Sequence, residues 1–312
     1  MRQLTTGILI VFYVPFIVCQ SDEAFYDKAL EKMEIEDYQY AAVMIDKAIH
    51  LNDTNFWFWL KKAEIATALH DPHLTIGCIK KAIEIDSTKS EPYNRAGSFY
   101  ESLAVADSSI CMYNKAIKLA TSDTLKFYYL QNRGSVKAKT RDFEGARIDL
   151  ERVLEFDAND LGALNNIAPV YRQLNMPNKA IDCLEKVISL DSSWVGPYIN
   201  LGFAYSALDS FDLAIAFFNQ ALVLEPDQPL VYSNRGHTYY KIGEYGKAIN
   251  DINKSISLYP TNSYAYRNLA LVYLALDGKN EACNALDYAS YYGFTVRYGN
   301  EVDELIVEHC KN

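Results

Sequence analysis

The chain has 312 residues, half of them hydrophobic, so it is long enough for two ordinary domains and can bury a large core. With only 14 Gly and 9 Pro and no low-complexity stretch, it does not read as a disordered chain. The formal net charge is −10 and no basic run reverses it locally, which argues against a nucleic-acid partner, because phosphate is repelled.

The first twenty residues stand apart. Arg2 is the only charge before Asp22, an apolar stretch runs from Gly7 to Val18, and Cys19-Gln20-Ser21 closes it. A positive start, an apolar core and a small residue before a polar boundary describe a secretory signal over residues 1–20. The run is shorter than the ~20 residues a membrane helix needs, so no span is expected after cleavage. A retained anchor and a lipid-modified Cys19 are the alternatives, although Phe16-Ile17-Val18 fits a bacterial lipobox poorly. Export, to a periplasmic or extracellular and oxidising compartment, is the expectation. Cys78, Cys111, Cys183, Cys283 and Cys310 remain after Cys19, an odd number, so at least one is free or pairs between chains.

From Asp22 the chain repeats itself every 34 residues. Repeats begin at Asp22, Phe56, Ser90, Phe127, Leu161, Val195, Pro229 and Ser263, with one insertion, Thr124 to Lys126. The eighth ends at Val296. Position 8 holds only Ala or Gly, from Ala29 to Ala270, and position 20 is small throughout, from Ala41 to Ala282. Such residues let two helix backbones approach, and the large apolar residues at position 24, among them Ile45, Tyr113 and Phe218, fill the space they leave. Most prolines respect helix ends: Pro229 opens a first helix, Pro72 and Pro177 open second helices, and Pro226 and Pro260 follow them. Pro169, in mid-helix, predicts a kink, either a tolerated one or a specialised point of a binding surface. Arg133 and Arg235 occupy position 7 in the two repeats that also carry Asp149 and Asp251 at position 23, which predicts two ion pairs inside helical hairpins. After Val296 an amphipathic segment, residues 297–312, predicts a last helix that covers the array.

Leu201, Gly202, Tyr205, Ala214, Phe218, Ala221 and Pro226, followed by Tyr232, Gly236, Tyr239, Ala248 and Pro260, resemble the signature of the tetratricopeptide repeat family in two successive repeats. The resemblance extends over the eight repeats and is weaker in the first two, where Lys32 and Ala66 replace a preferred Tyr. It implies an all-α fold, a right-handed α-solenoid of eight helix–turn–helix units (22–55, 56–89, 90–123, 127–160, 161–194, 195–228, 229–262 and 263–296) with the C-terminal helix as a cap. It suggests an exported bacterial member. In such proteins the last repeat and the cap carry paired cysteines, which implies a Cys283–Cys310 disulfide. Cys78 and Cys183 share position 23 and read as small core residues; Cys111 points outward.

The resemblance also places positions 2, 5, 6, 9, 12 and 13 on a concave groove. Position 6 is Asn132, Asn166, Asn200, Asn234 and Asn268 in five consecutive repeats. An amide carries donor and acceptor, so this ladder either holds the backbone of an extended peptide or bonds to a neighbouring helix. Phe203, His237, Tyr240, Tyr264 and Arg267, with Tyr128, surround it; rigid rings suit peptide side chains. No three consecutive repeats supply the carboxylate clamp of chaperone-binding relatives. No nucleophile elbow, P-loop or zinc-protease motif occurs. His70-Asp71-Pro72-His73 reads as a helix cap at Asp71 rather than a metal site. The expectation is a non-enzymatic protein- or peptide-binding adaptor of the cell envelope, without cofactor or metal. The alternative is a structural or self-associating scaffold without a peptide ligand.

Overall fold

The structure, a computed structural model, describes residues 21–310. The signal expected over residues 1–20, and with it Cys19, lies outside the described residues. Among those described there are 18 helices and no strand. They fall into two units, one ending at Thr121 and one beginning at Ser122.

The first unit is three antiparallel helix pairs: α1 (Asp22–Glu34) with α2 (Tyr38–Leu51), α3 (Phe56–Ala68) with α4 (Pro72–Ile85), and α5 (Ser90–Ser102) with α6 (Ala106–Leu119). The second holds five more: α7 (Asp123–Lys139) with α8 (Phe143–Phe156), α9 (Leu161–Gln173) with α10 (Pro177–Leu190), α11 (Val195–Ala207) with α12 (Phe211–Leu224), α13 (Pro229–Lys241) with α14 (Tyr245–Leu258), and α15 (Ser263–Ala275) with α16 (Lys279–Tyr291). The insertion at Thr124–Lys126 does not form a loop; it lengthens α7 at its start. A short α17 (Phe294–Tyr298) and α18 (Glu301–His309) close the second unit.

The pairs close where the repeat places its small residues. A methyl group on Gly97 would sit 2.7 Å from the Tyr113 ring, and one on Gly236 2.7 Å from Ile252; Gly202 lies as close under Phe218. Position 8 is therefore the hole and position 24 the knob in each of these hairpins. The turn between paired helices has a shared conformation. Residue 15 of every repeat is left-handed, yet only Gly243 is a glycine; Glu36, His70, Ala104, Arg141, Asn175, Asp209 and Asp277 fill the others. Each is followed by an amide that donates to the carbonyl five residues back, as Asp37 does to Lys32 at 2.9 Å and Glu244 to Tyr239 at 2.9 Å. These are Schellman caps, which satisfy the open carbonyls of the first helix and reverse the chain in three residues.

Aromatic side chains with a polar tip join one repeat to the next. Position 4 donates to the carbonyl at position 32 of the preceding repeat: Trp59 Nε1 to Asp53 at 2.8 Å, Tyr93 to Ser87 at 3.3 Å, Tyr198 to Ser192 at 3.1 Å and Tyr232 to Pro226 at 3.0 Å. Position 11 does the same to a carboxylate at position 25, Tyr171 to Glu151 at 3.1 Å and Tyr205 to Glu185 at 3.3 Å. Much of the abundant Tyr is thus stacking material, with the ring in the interface and the hydroxyl at its wet edge.

Both expected ion pairs form. Arg133 holds Asp149 through two hydrogen bonds of 2.8 and 2.6 Å, and Lys137 adds a third cationic contact at 2.9 Å. Arg235 holds Asp251 at 2.7 and 2.8 Å and reaches Asn219 at 2.6 Å. Asp149 is fully buried at 1% exposure, a position a carboxylate tolerates only when its oxygens are occupied. Asp71 caps α4 by accepting from the Leu74 amide at 2.9 Å.

Candidate functional site

In the second unit the first helices of successive repeats touch one another: α7 meets α9, α9 meets α11, α11 meets α13 and α13 meets α15. The second helices do not approach to the same degree. Within this unit the first helices therefore line the inner face, and residues in their middle and last turns point into it.

A cleft of about 340 Å³ opens on that face. Its walls come from four consecutive first helices: Arg172 of α9, Phe203 of α11, Asn234, His237 and Lys241 of α13, and Tyr264 of α15. Phe203 stands edge-on to the buried Phe218, with ring centroids 6.1 Å apart. His237 lies tilted against Tyr240, with ring centroids 5.9 Å apart, and Tyr240 lies 6.2 Å from Tyr245. Burial lowers the His237 pKa to about 4, with the Arg267 and Lys241 charges in support, so the imidazole is neutral at physiological pH. Tyr264 is fixed from behind by Phe294 at 6.1 Å and Tyr298 at 5.5 Å, both on α17. The same burial raises the Tyr264 phenol above its ordinary range.

Four of the sequence-predicted residues, Phe203, Asn234, His237 and Tyr264, thus meet in one cleft, with Tyr240 behind His237. The asparagine ladder does not meet there as a set. Asn200 donates its amide to Asn165 on the preceding first helix at 3.1 Å. Asn268, 1% exposed, donates to the Ser233 carbonyl and hydroxyl, each at 3.2 Å, and accepts from Arg267 at 2.9 Å. These two amides tie helix to helix. Asn132 and Asn166 do not line the cleft. Arg267 is taken as well: it lies 5.7 Å over the Tyr264 ring and is paired with Glu301 of α18, so it braces the cap against α15. Tyr128 is half-exposed beside Tyr129, away from the cleft.

Arg172 and Lys241 are not among the residues expected from sequence. They stand at positions 12 and 13 of their repeats, which the family resemblance assigns to the groove, but neither position keeps one residue type through the array, so the repeat does not mark them.

Cys283 and Cys310 form a disulfide with Cα atoms 5.7 Å apart, which joins α16 to the end of α18. Cys78 is buried, and burial raises its thiol pKa to about 11; Cys183 is partly buried, and Cys111 is exposed. Pro169 lies inside α9, which continues through it as one helix from Leu161 to Gln173.

Two tetratricopeptide repeat models match, one over residues 161–193 and the other over residues 229–262, and a TPR repeat model matches residues 207–243. Among solved structures, a tetratricopeptide repeat protein from Parabacteroides merdae superposes with a TM-score of 0.70 at 18% identity, over 81% of this chain and 98% of that one. PilW, a type IV pilus biogenesis factor, superposes at 0.61 with 22% identity, over 67% of this chain and 96% of its own. At these identities the likeness concerns the fold. RNA polymerase II-associated protein 3 of Xenopus laevis is 33% identical over 102 residues, 32% of this chain; the match spans 14% of that relative's length. The chain is a tetratricopeptide repeat protein. Repeats of this kind generally serve as non-catalytic adaptors and scaffolds that bind other proteins.

Proposed function

We propose that this chain is a peptide-binding adaptor that holds an extended segment of a partner protein along the inner face of its second unit. The observation that carries the reading is the cleft itself. Four consecutive repeats each contribute to it, three aromatic rings (Phe203, Phe218 and Tyr264) and a neutral imidazole line it, and its volume of about 340 Å³ suits one or two side chains of a peptide. Phe203 and Tyr264 serve as the apolar anchors, and Asn234 and His237 supply hydrogen bonds to the peptide.

We place the adaptor in the cell envelope. Support for export comes from the signal-like start of the sequence and from the Cys283–Cys310 bond, which suits an oxidising compartment.

Selection of displayed peptides on the purified chain, followed by fluorescence anisotropy, tests the binding reading. Phe203→Ala and Tyr264→Ala should each weaken a selected peptide about tenfold, as expected for anchors at the centre of a site. Phe99→Ala, in a cleft of the first unit, should leave it unchanged. Equal affinities across all four proteins would place the peptide elsewhere.

A further inference from the structure

The cleft of the second unit carries charge that its aromatic walls do not explain. Among the described residues five arginines are partly buried: Arg133, Arg147, Arg172, Arg235 and Arg267. Four of them hold a carboxylate within about 3 Å, namely Asp149, Glu151, Asp251 and Glu301. Arg172 is the exception; among the described residues no Asp or Glu oxygen lies within 4 Å of it. Its guanidinium lies 5.6 Å over the Phe203 ring, which fixes the plane without neutralising the charge. Burial pulls its pKa below the ordinary arginine range. Lys241, on the same cleft, is likewise without an ion pair among the described residues.

One carboxylate does line the cleft, that of Asp209 in the turn after α11, and it pairs with neither cation. Arg267 contributes no free charge, being paired with Glu301, and His237 is neutral. The cleft is left with two cations against one anion in a chain of formal net charge −10. The corresponding cleft of the first unit is different: its one arginine, Arg95, is paired with Glu91 at 2.8 Å and approaches Glu64 at 3.9 Å.

We infer that the cleft is built to take a peptide carboxylate, bound at Arg172 with Lys241 in support, next to an apolar or aromatic side chain seated between Phe203 and Tyr264. An arginine fork matches the two oxygens of a carboxylate, and a partly buried arginine without a counter-ion gains most from one. The inference rests on the peptide-binding reading above and names the chemistry of its ligand. The carboxylate belongs either to an acidic side chain or to a chain terminus.

The test uses the whole chain and four fluorescein-labelled decapeptides on one Gly/Ser frame. Three are amidated and carry a central Tyr-Glu, Tyr-Gln or Tyr-Lys pair; the fourth ends in Tyr with a free carboxylate. Anisotropy should rank an acidic peptide about tenfold above the Tyr-Gln one, the worth of a charge-assisted pair. That preference should shrink as salt rises from about 50 to 500 mM. Arg172→Gln should abolish the preference, and an unchanged circular dichroism spectrum and melting temperature report that the variant is folded; Arg172→Lys should restore part of it. Preference for the free terminus over Tyr-Glu assigns the carboxylate to a chain end, and the reverse assigns it to a side chain. If Tyr-Gln and both acidic peptides bind alike, the carboxylate inference falls and the peptide groove stands. If Arg172→Gln and Lys241→Gln both keep the preference, the assignment of these residues falls. If none of the four peptides binds, both readings fall together.

Discussion

Asp149 shows how a residue can be fixed by its partners alone. It is buried to 1%, and its two oxygens are shared by Arg133 and Lys137. Removing it leaves two cations facing a hydrophobic hairpin, so Asp149→Ala should cost about 3–5 kcal/mol in urea unfolding. The Arg133→Met, Lys137→Met, Asp149→Leu triple replacement should recover most of that loss, because the pairing neutralises a cost rather than adding to stability. His237 is fixed by exclusion of water. Its pKa of about 4 in the folded chain is below the ordinary value near 6.5, so the unfolded chain binds the proton more readily. The stability this gives is fully present above about pH 6.5 and is lost as pH falls towards 4. Between pH 7.5 and 5 the wild type should lose about 2 kcal/mol more than His237→Gln in urea unfolding followed by circular dichroism. Parallel pH profiles for the two proteins would show that His237 is solvated.

At the scale of the element, the repeat is a hairpin closed by position 8 against position 24 and reversed by a left-handed residue at position 15. The sequence frame reads the first device directly, since Gly97, Gly202 and Gly236 are small where a knob arrives. It does not show the second, because seven of the eight left-handed residues are not glycine. Asp, Asn and His tolerate that conformation through their short polar side chains, but Ala104, Glu36 and Arg141 have no such help and are held by the Schellman bonds around them. The cap is the other decisive element. Phe294 and Val302 are buried against the last repeat, Glu301 pairs with Arg267, and the Cys283–Cys310 bond closes the far end. The bond spans 27 residues, so Cys310→Ser should lower stability by about 3 kcal/mol. Since α17 also backs Tyr264, the same variant should loosen the cleft, and hydrogen exchange on 263–275 should rise with it. Unchanged exchange there would separate the cap from the site.

At the scale of the molecule, stability in a repeat array is a sum of neighbour contacts, and each unit here has its own buried clusters. Ala248, Ile252, Leu286, Phe294 and Val302 belong to one in the second unit, and Ala29, Ile45 and Phe58 to one in the first. Residues 122–312 expressed alone should therefore melt cooperatively and keep the affinity of the whole chain for a Tyr-containing peptide. A non-cooperative melt would mean that the second unit depends on the first.

The sequence by itself determined the repeat, the helix pairs and their crossing points, and the two buried ion pairs. Each is local: it depends on residue size or charge at positions less than one repeat apart, which a period exposes. It also drew attention to Phe203, His237 and Tyr264, which the structure brings together in one cleft. Only the tertiary structure decided what that cleft offers. In sequence, Asn200 and Asn268 read equally as ligand groups or as ties to a neighbouring helix, and the structure shows them tied; Arg267 reads as a ligand group until Glu301 arrives from the cap. Nothing in the sequence marks Arg172; only the structure sets it beside Phe203 with no carboxylate in reach among the described residues. Whether a polar group is free for a ligand depends on what the next repeat brings within about 3 Å of it, the distance at which a hydrogen bond is made or missed, and no spacing along one chain reports that distance.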